Sequence, residues 1–364
     1  MSVRPLAEAD IPRVADLYWT YMRRGRGPAP PGLQPFLREL YFSNPFSDAA
    51  IPSLVYEDRD HKVVGFLGNV VRRMTMCGQP IKAVFGGNLV VHPDYRSGLA
   101  APRLLNTMIG TEHDLSLSDS ANDISRKILE RLGFRTVPAL NLHWGRPLRP
   151  GRYVVHALTR GIPRPIAAGM KYASLPFCAV ADSIVSKPEA SPFKQKKPRL
   201  QGSPLDVETL LQCFEEFRKG YSVWADYDLN SLHWLLSFME RRPNRGVLRK
   251  VVLRDDTQKI IGWYIYYVKP GGIGEVVQVN GNPRYTKDIL DSLFYDGWEH
   301  GLIGLHGVVD ARRMPDFSDK GCFFTCRGGW TVALPRNPEL MKLLERGDAF
   351  LSRLDGEWAL DPGD

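Results

Sequence analysis

Residues 86–109 read GGNLVVHPDYRSGLAAPRLLNTMI, and the order of residue types in them decides the fold. Leu89, Val90 and Val91 predict the end of a β-strand, and Pro93 stops it. Arg96 to Ala101 form a turn and a first helical turn, after which Leu104, Leu105 and Met108 fall on one helix face at 3.6-residue spacing. Such a junction leaves backbone N–H groups without intrahelical acceptors, and the helix dipole makes that point favourable for an anion. Gly98, Ala100 and Ala101 carry little or no side chain, which leaves the backbone open to a phosphate. A strand–helix turn that binds nothing uses the same elements, so the flanking segments decide between the two readings.

Upstream, VRPLAEADIPRVADLYWTYM predicts a short strand, a turn and an amphipathic helix with Ile11, Val14, Leu17 and Tyr18 on one face. Downstream, DLSLSDSANDISRKILERLGFRTVP predicts a strand, a polar loop and a helix, with Gly133 where a helix stops in the left-handed conformation. In this order the segments resemble the GNAT superfamily, the acyl-coenzyme A-dependent N-acyltransferases. Motif A of that family runs strand, V-x-P-x-x-(R/Q)-x-x-G-x-(G/A), helix. Here its positions are Val91, Pro93, Arg96, Leu99 and Ala101, with Leu99 replacing the first glycine and Gly98 one residue earlier.

The resemblance covers residues 1–147. It implies acetyl-CoA, or another acyl-CoA, as co-substrate and no metal. It implies that Arg96, Ser97, Gly98, Leu99, Ala100 and Ala101 receive the pyrophosphate, and that Asn122 and Ser125 contact the coenzyme. The N–H groups of the strand at Leu89, Val90 and Val91 would polarise the thioester carbonyl. Many family members carry a tyrosine, the general acid for the thiolate, at the position held here by Leu129.

Acyl transfer to an amine requires a neutral amine, a polarised carbonyl and a stabilised thiolate. Asp119, at the end of the strand before the Asn122 loop, is the candidate base; capping of the helix from Ile124 is its alternative role. Tyr95, beside the turn, is the candidate donor to the thiolate, with apolar packing as its alternative. His92 reads as a strand-end residue, and Asp310 with Arg312 as a surface ion pair.

The chain also repeats itself. VYEDRDHKVVGFLG from Val55 matches VLRDDTQKIIGWYI from Val252, pairing Asp58 with Asp255, Lys62 with Lys259, Gly65 with Gly262 and Phe66 with Trp263. GFRTVPAL from Gly133 also resembles GWTVAL from Gly329. The expected fold class is therefore α/β (α+β), with two tandem GNAT-like domains, each a mixed, mostly antiparallel twisted sheet flanked by helices. Residues 1–149 form the first, 150–202 a helical connector and basic linker, and 203–364 a degenerate second copy. In the second copy Pro283 aligns with Pro93, Thr286 is the expected N-cap, and Asp288 occupies the place of Gly98, where its charge opposes a pyrophosphate. The connector, with Tyr153, Met170, Tyr172, Leu175 and Phe177 among basic residues, reads as helix packed between domains, with a membrane-surface segment as the alternative. Phe350, Leu351, Leu354 and Trp358 predict a docked C-terminal tail.

The length of 364 residues, with 43% hydrophobic and 24% charged residues, fits a two-domain globular chain. The net charge of +8 suits an anionic ligand without selecting one. Five scattered cysteines lack zinc spacing and point to a reducing compartment. The acidic N-terminus does not read as a signal peptide, no apolar run has membrane-span length, and a cytoplasmic location is expected. The leading functional reading is transfer of an acyl group, from acetyl-CoA in the first instance, to a primary amine of a small molecule or amino sugar. The other readings are an aminoacyl-tRNA-dependent transferase of the peptidoglycan-bridge type and a non-catalytic coenzyme A-binding module. Lys194, Lys196, Lys197 and Arg199 lack interleaved aromatics, which disfavours nucleic acid as a partner.

Overall fold

The computed structural model describes residues 1–159, 161–188, 191, 193–326 and 329–361. The strands are β1 (Ser2–Pro5), β2 (Leu54–Glu57), β3 (Val63–Met76), β4 (Gln79–Val91), β5 (Leu115–Ala121), β6 (Arg135–Thr136), β7 (His143–Pro147) and β8 (Gln201–Pro204). They continue with β9 (Val223–Ala225), β10 (Val247–Arg254), β11 (Ile260–Val268), β12 (Ile273–Gly281), β13 (Gly304–Val308), β14 (Phe323–Thr325), β15 (Trp330–Pro335) and β16 (Ala349–Phe350). The α-helices are α1 (Ile11–Leu17), α2 (Leu33–Phe42), α3 (Ala100–Ile109), α4 (Asp123–Arg131), α5 (Pro150–Leu158), α6 (Arg164–Ser186), α7 (Val207–Phe217), α8 (Leu229–Glu240), α9 (Thr286–Glu299), α10 (Met314–Asp319) and α11 (Pro338–Glu345).

Two compact units form, and neither is continuous in sequence. Unit 1 contains Met1–Asn141, Arg218–Asn244 and Gly328–Asp364; unit 2 contains Leu142–Phe217 and Arg245–Arg327. Continuous cuts at 149/150 and 202/203 therefore do not follow the compact units. The sheet of unit 1 runs β1-β2-β3-β4-β5-β15-β6, with β9 pairing both β3 and β16. The sheet of unit 2 runs β14-β7-β13-β12-β11-β10-β8. Along the main path of each sheet one parallel pair, β4 with β5 and β12 with β13, sits among antiparallel neighbours, and in unit 1 β9 and β16 form a second, peripheral parallel pair.

The strand beyond each parallel pair comes from the other half of the sequence. Residues 330–335 lie between β5 and β6 in unit 1, and residues 143–147 lie between β13 and β14 in unit 2. Both are central strands with buried side chains: Val332 and Ala333 in one, Trp144 in the other.

The hairpin repeat holds to the register. Val55 faces Phe66 and Val252 faces Trp263, and each hairpin has its irregularity one residue later. In both turns the aspartate, Asp58 or Asp255, accepts from the backbone of the lysine four residues on. The aspartate carboxylate replaces a backbone acceptor, so the turn chemistry is written in the sequence. The second repeat requires correction. The partner of Gly133 is Gly321, not Gly329. Both glycines have positive φ, 96° and 71°, and both close a helix by the same pair of backbone bonds. Gly133 N donates to Glu130 O and Phe134 N to Leu129 O, as Gly321 N does to Ser318 O and Cys322 N to Phe317 O. The GWTVAL segment is instead the exchanged strand β15.

In unit 1, alternation along β4 divides the core. Val91 packs with Leu104, Leu105 and Met108 of α3, whereas Val90 packs with Leu17, Tyr18 and Leu37 on the opposite face. In unit 2 the core gathers Trp144, Tyr266, Leu290, Phe294 and Leu305. The expected docked tail is present in unit 1, with Leu354, Ala359 and Leu360 buried.

A fragment ending at residue 149 retains β5 and β6 but lacks β15 between them. Full burial of a side chain such as Val332 is worth roughly 1.5–3 kcal/mol, and the loss of a central strand removes several together. The fragment is therefore expected to show no cooperative thermal transition by circular dichroism, while the full chain does. A sharp transition in the fragment would contradict the exchange.

Candidate functional site

In unit 1 the strands β4 and β5 pair over only three positions, Ala83 with Leu115, Val84 with Ser116 and Phe85 with Leu117. Beyond Phe85 they diverge. β4 bulges there: Phe66 of β3 faces Val90 while Gly68 faces Gly87, and Asn88 takes a φ of 53°. The divergence leaves the β5-facing edge of residues 86–91 unpaired by β5, and this edge carries Leu89, Val90 and Val91.

The tail of the chain fills the base of this opening. Glu357 Oε1 accepts from Ser118 Oγ at 2.7 Å and from Ser120 N at 3.0 Å, both on β5. Across the opening, a Cβ on Gly87 of β4 would lie 2.0 Å from Glu357 Oε2, so only glycine admits this carboxylate. Glu357 N donates to Asp119 Oδ1 at 3.1 Å, and a Cβ on Gly356 would fall 1.8 Å from Asp119 Oδ2. Two carboxyl groups thus share one site. Burial raises Asp119 well above the usual carboxylate range, and the charge of Glu357 adds to it. Burial also raises Glu357, opposed by its bonds from Ser118 and Ser120. The charge of Glu357 disfavours ionisation of Asp119, and the bonds from Ser118 and Ser120 favour the charged form of Glu357.

A buried cation faces the same network. Arg72 on β3 is 1% exposed, donates through Nε to Asp355 O at 2.8 Å, and lies 3.7 Å from the centre of the Phe46 ring. Burial lowers its pKa, opposed by Tyr227, Asp355 and Asp119. Tyr227 Oη donates to Asp355 Oδ1 at 2.8 Å.

The turn lies at the end of β4. Pro93–Tyr95 form a 3-10 turn, Arg96 to Leu99 a further turn, and α3 starts at Ala100. Arg96 Nε donates to Val91 O at 2.9 Å, tying turn to strand. Leu99 has φ −91° and ψ 13°, which any L-residue adopts, and is 61% exposed, so the turn forms without the family glycine. Ser97, Gly98 and Leu99 are exposed while Ala100 is buried. Pro102 falls in the first turn of α3, where a missing N–H costs no helical bond.

The remaining sequence candidates have structural partners. Tyr95 Oη donates to Asp58 Oδ2 at 2.9 Å, and that bond raises its pKa. Asn122 Oδ1 caps α4, accepting from Ile124 N and Ser125 N. His92 Nδ1 accepts from Asp94 N, and its ring meets Tyr21 edge-on at 4.9 Å. Leu129 is buried in the α3 face of the core. The structure brings Asp119 to the diverging strands and directs the Tyr95 hydroxyl into the β2–β3 turn. Glu357, Arg72, Gly87 and Ser118 were not found from sequence. Glu357 is 237–239 residues from its β5 partners, and its one signal was an acidic residue inside an apolar tail.

Unit 2 differs at the corresponding turn. Pro283–Tyr285 run directly into α9 at Thr286, so the four-residue turn corresponding to Arg96–Leu99 is missing. Thr286 is the first helical residue rather than the expected N-cap, and its Oγ1 donates to Pro283 O. Asp288 lies in the first turn of α9, level with Pro102 of α3 rather than with Gly98 as the ungapped alignment expected. Asp310 caps a 3-10 turn and approaches Arg312 at 3.5 Å, as expected of an ion pair. An open cavity of about 1070 Å³ lies along the β8–β10 edge, where Arg249 and the Tyr266 hydroxyl are engaged by Asp296. Among the described residues no cluster of three or more His, Cys, Asp or Glu side chains has metal-site geometry, and no helix is long and apolar enough to cross a membrane.

No protein-family model and no curated protein sequence matches the chain. Its structure does have relatives. A protein of Enterococcus faecalis V583 described as a probable N-acyltransferase aligns at TM-score 0.61, with 12% identity over 92% of this chain and 72% of that one. A GCN5-related N-acetyltransferase of Anabaena variabilis aligns at 0.59, with 12% identity over 92% and 73%. The N-myristoyltransferase of Saccharomyces cerevisiae, with bound myristoyl-CoA, aligns at 0.54, with 11% identity over 91% and 77%. The chain has the GNAT fold, twice. At this identity the likeness establishes the fold alone. In the two GNAT-fold units the parallel strands diverge in the same place, and unit 1 alone combines the divergence with the longer turn.

The carboxylate pair gives a signed pH dependence. Asp119 binds its proton more tightly in the folded chain than unfolded, where its pKa is about 3.9. Its contribution to stability is therefore complete below that value and is lost as pH rises through the folded value. Asp119→Asn keeps the acceptor for Glu357 N and removes the titration. The melting temperature of D119N relative to the parent should rise between about pH 4 and pH 8, each displaced pKa unit being worth about 1.4 kcal/mol. A difference independent of pH would contradict the raised pKa of Asp119.

Proposed function

We propose that this protein is an acyl-CoA-dependent N-acyltransferase whose chemistry belongs to unit 1, with acetyl-CoA as donor and a primary amine of a small molecule or amino sugar as acceptor. The observation that carries the reading is the Asp119–Glu357 pair at the base of the β4–β5 divergence, beside an open strand edge and an exposed turn. In the proposed reaction the coenzyme pyrophosphate lies on the N–H groups of the Arg96–Ala101 turn, favoured by the α3 dipole. The thioester carbonyl meets the free edge of β4 near Leu89–Val91. The neutral amine attacks the carbonyl carbon, the C–N bond forms, and the oxygen gains charge that backbone N–H donors stabilise. The C–S bond then breaks and the sulfur leaves as thiolate.

The amine must lose one proton on becoming an amide, and the ionised carboxylate of the pair is the proposed acceptor. A base with a raised pKa takes that proton more readily at neutral pH. Tyr95 remains the proposed donor to the thiolate, in competition with its bond to Asp58. Asn122 and Ser125 are proposed to contact the coenzyme around the capped start of α4. Unit 2, without the longer turn and with Asp288 in its first helical turn, is proposed to bind no coenzyme.

Thermal shift with coenzyme A tests the binding half of the proposal. At about 100 times Kd the ligand should add about 2.7 kcal/mol to the folded state. Gly98→Asp, which puts a carboxylate in the exposed turn before α3 at a position without positive φ, should weaken coenzyme binding by roughly tenfold or more without lowering the melting temperature. Unchanged affinity would place the pyrophosphate elsewhere.

Release of free thiol from acetyl-CoA and myristoyl-CoA over a panel of amines tests the chemistry and the chain length. Glu357→Gln should lower kcat by roughly 10²–10⁴-fold, the range of general-base contributions, with coenzyme affinity retained. Full activity of E357Q would remove Glu357 from the mechanism. Coenzyme binding with no transfer to any amine would favour the non-catalytic reading. Salt-sensitive binding of tRNA without coenzyme binding would favour the aminoacyl-tRNA reading.

A further inference from the structure

Helices α5 and α6 pack along each other through small residues. Gly151 N donates to Asp182 Oδ1 at 2.6 Å, and a Cβ at position 151 would lie 3.2 Å from Cys178 O. Among the described side chains of α6, Ala167 and Cys178 are the buried ones. Helix α5 is anchored in unit 2, with Arg149 Nη2 donating to Trp298 O at 3.0 Å and the Tyr153 ring against Phe323. The large apolar side chains of α6 therefore face away from α5. Tyr172 is 79% exposed and Phe177 77%, so the expectation of a helix packed between domains does not hold for these side chains.

Of the eight large apolar residues exposed on α6 among the described residues, Tyr172, Leu175 and Val185 lie elsewhere around the helix and the other five line up. Ile166, Met170, Ala173, Phe177, Val180 and Ile184 recur at intervals of four and three residues. At 100° per residue they fall within an arc of about 80° along the length of the helix. A continuous apolar stripe on a monomer's surface marks a contact with something else. The charge around it identifies what. Residues 149–199 hold ten Lys or Arg and two Asp or Glu, a net +8, which equals the net charge of the whole chain. Lys196, Lys197 and Arg199 are exposed. A second copy of the hairpin would bring the same excess of positive charge against itself. A bilayer bearing anionic headgroups offers the opposite charge and an apolar layer for the stripe.

We propose that the α5–α6 hairpin is a membrane-surface anchor, with the Ile166–Ile184 stripe in the headgroup–acyl boundary of an anionic bilayer and the flanking lysines and arginines on its headgroups. The helix lies in the interface and does not span it. Apolar insertion and attraction to anionic headgroups add, which is the two-signal arrangement that gives stable peripheral binding. The inference stands independently of the acyl-transfer reading.

Co-sedimentation of the full-length protein with phosphatidylcholine vesicles, and with vesicles containing one quarter phosphatidylglycerol, tests it. Binding is expected to the anionic vesicles and to weaken as salt is raised. Phe177→Ser with Ile184→Ser replaces exposed residues, so the melting temperature should hold while vesicle affinity falls by roughly tenfold or more. Lys196→Ala with Lys197→Ala should lower it by a similar roughly tenfold factor through charge alone. Equal binding to neutral and anionic vesicles, or no binding, overturns the proposal. So does a dimer in light scattering that the Phe177/Ile184 variant dissociates, because the stripe then belongs to a second copy.

Discussion

The reciprocal placement of strands β7 and β15 is the constraint on which the rest depends. Each sheet needs a strand beyond its parallel pair, and each takes it from the other half of the sequence. The strand is central in both cases, so its backbone satisfies two neighbours and its side chains enter the core. An unpaired central edge would leave a row of buried N–H and C=O groups without partners, at a cost no single side chain offsets. The same arrangement carries the chain back to unit 1 for its last residues. Glu357 can reach β5 because residues 330–335 are already in that sheet.

The candidate site follows from this return. Divergence of β4 and β5 gives an opening that the sheet's own hydrogen bonds no longer close. Gly87 and Gly356 leave room for two buried carboxyl groups in it, and burial raises the pKa of both. Ser118 and Ser120 fix the glutamate on one side of the opening. The pair is thus held in place by backbone and hydroxyl donors on a rigid strand, while the tail that supplies Glu357 is pinned by the buried Leu354 and Leu360. In unit 2 the parallel strands diverge as well, but a shorter turn leads directly into α9 with Asp288 in its first turn, so one fold serves two differently equipped units.

Much of the fold was legible because its signals are local. The β4–turn–α3 junction, the Asx-type turns at Asp58 and Asp255, and the helix stop at Gly133 each depend on residues within a few positions of one another. The hairpin repeat carried its register in sequence, to the same facing pairs. The match of Gly133 to Gly329 misled because short glycine–aromatic strings are common, and the structural partner Gly321 shares its hydrogen-bond pattern rather than its neighbours. Thr286 misled for a related reason: a good capping residue does not cap when the preceding turn already delivers it into the helix.

The sequence by itself determined the two tandem α/β copies, the strand–turn–helix with small residues before α3, and an acidic residue at the end of β5. These are properties of periodicity, capping and backbone conformation, which act over one or two turns of chain. Only the tertiary structure decided which strands complete which sheet, which carboxylate meets Asp119, and which apolar face of α6 lacks a covering partner. The strand exchange and the Asp119 contact depend on pairings across more than 150 residues, on burial and on charge proximity, and no local pattern encodes a distance between segments that remote in the chain.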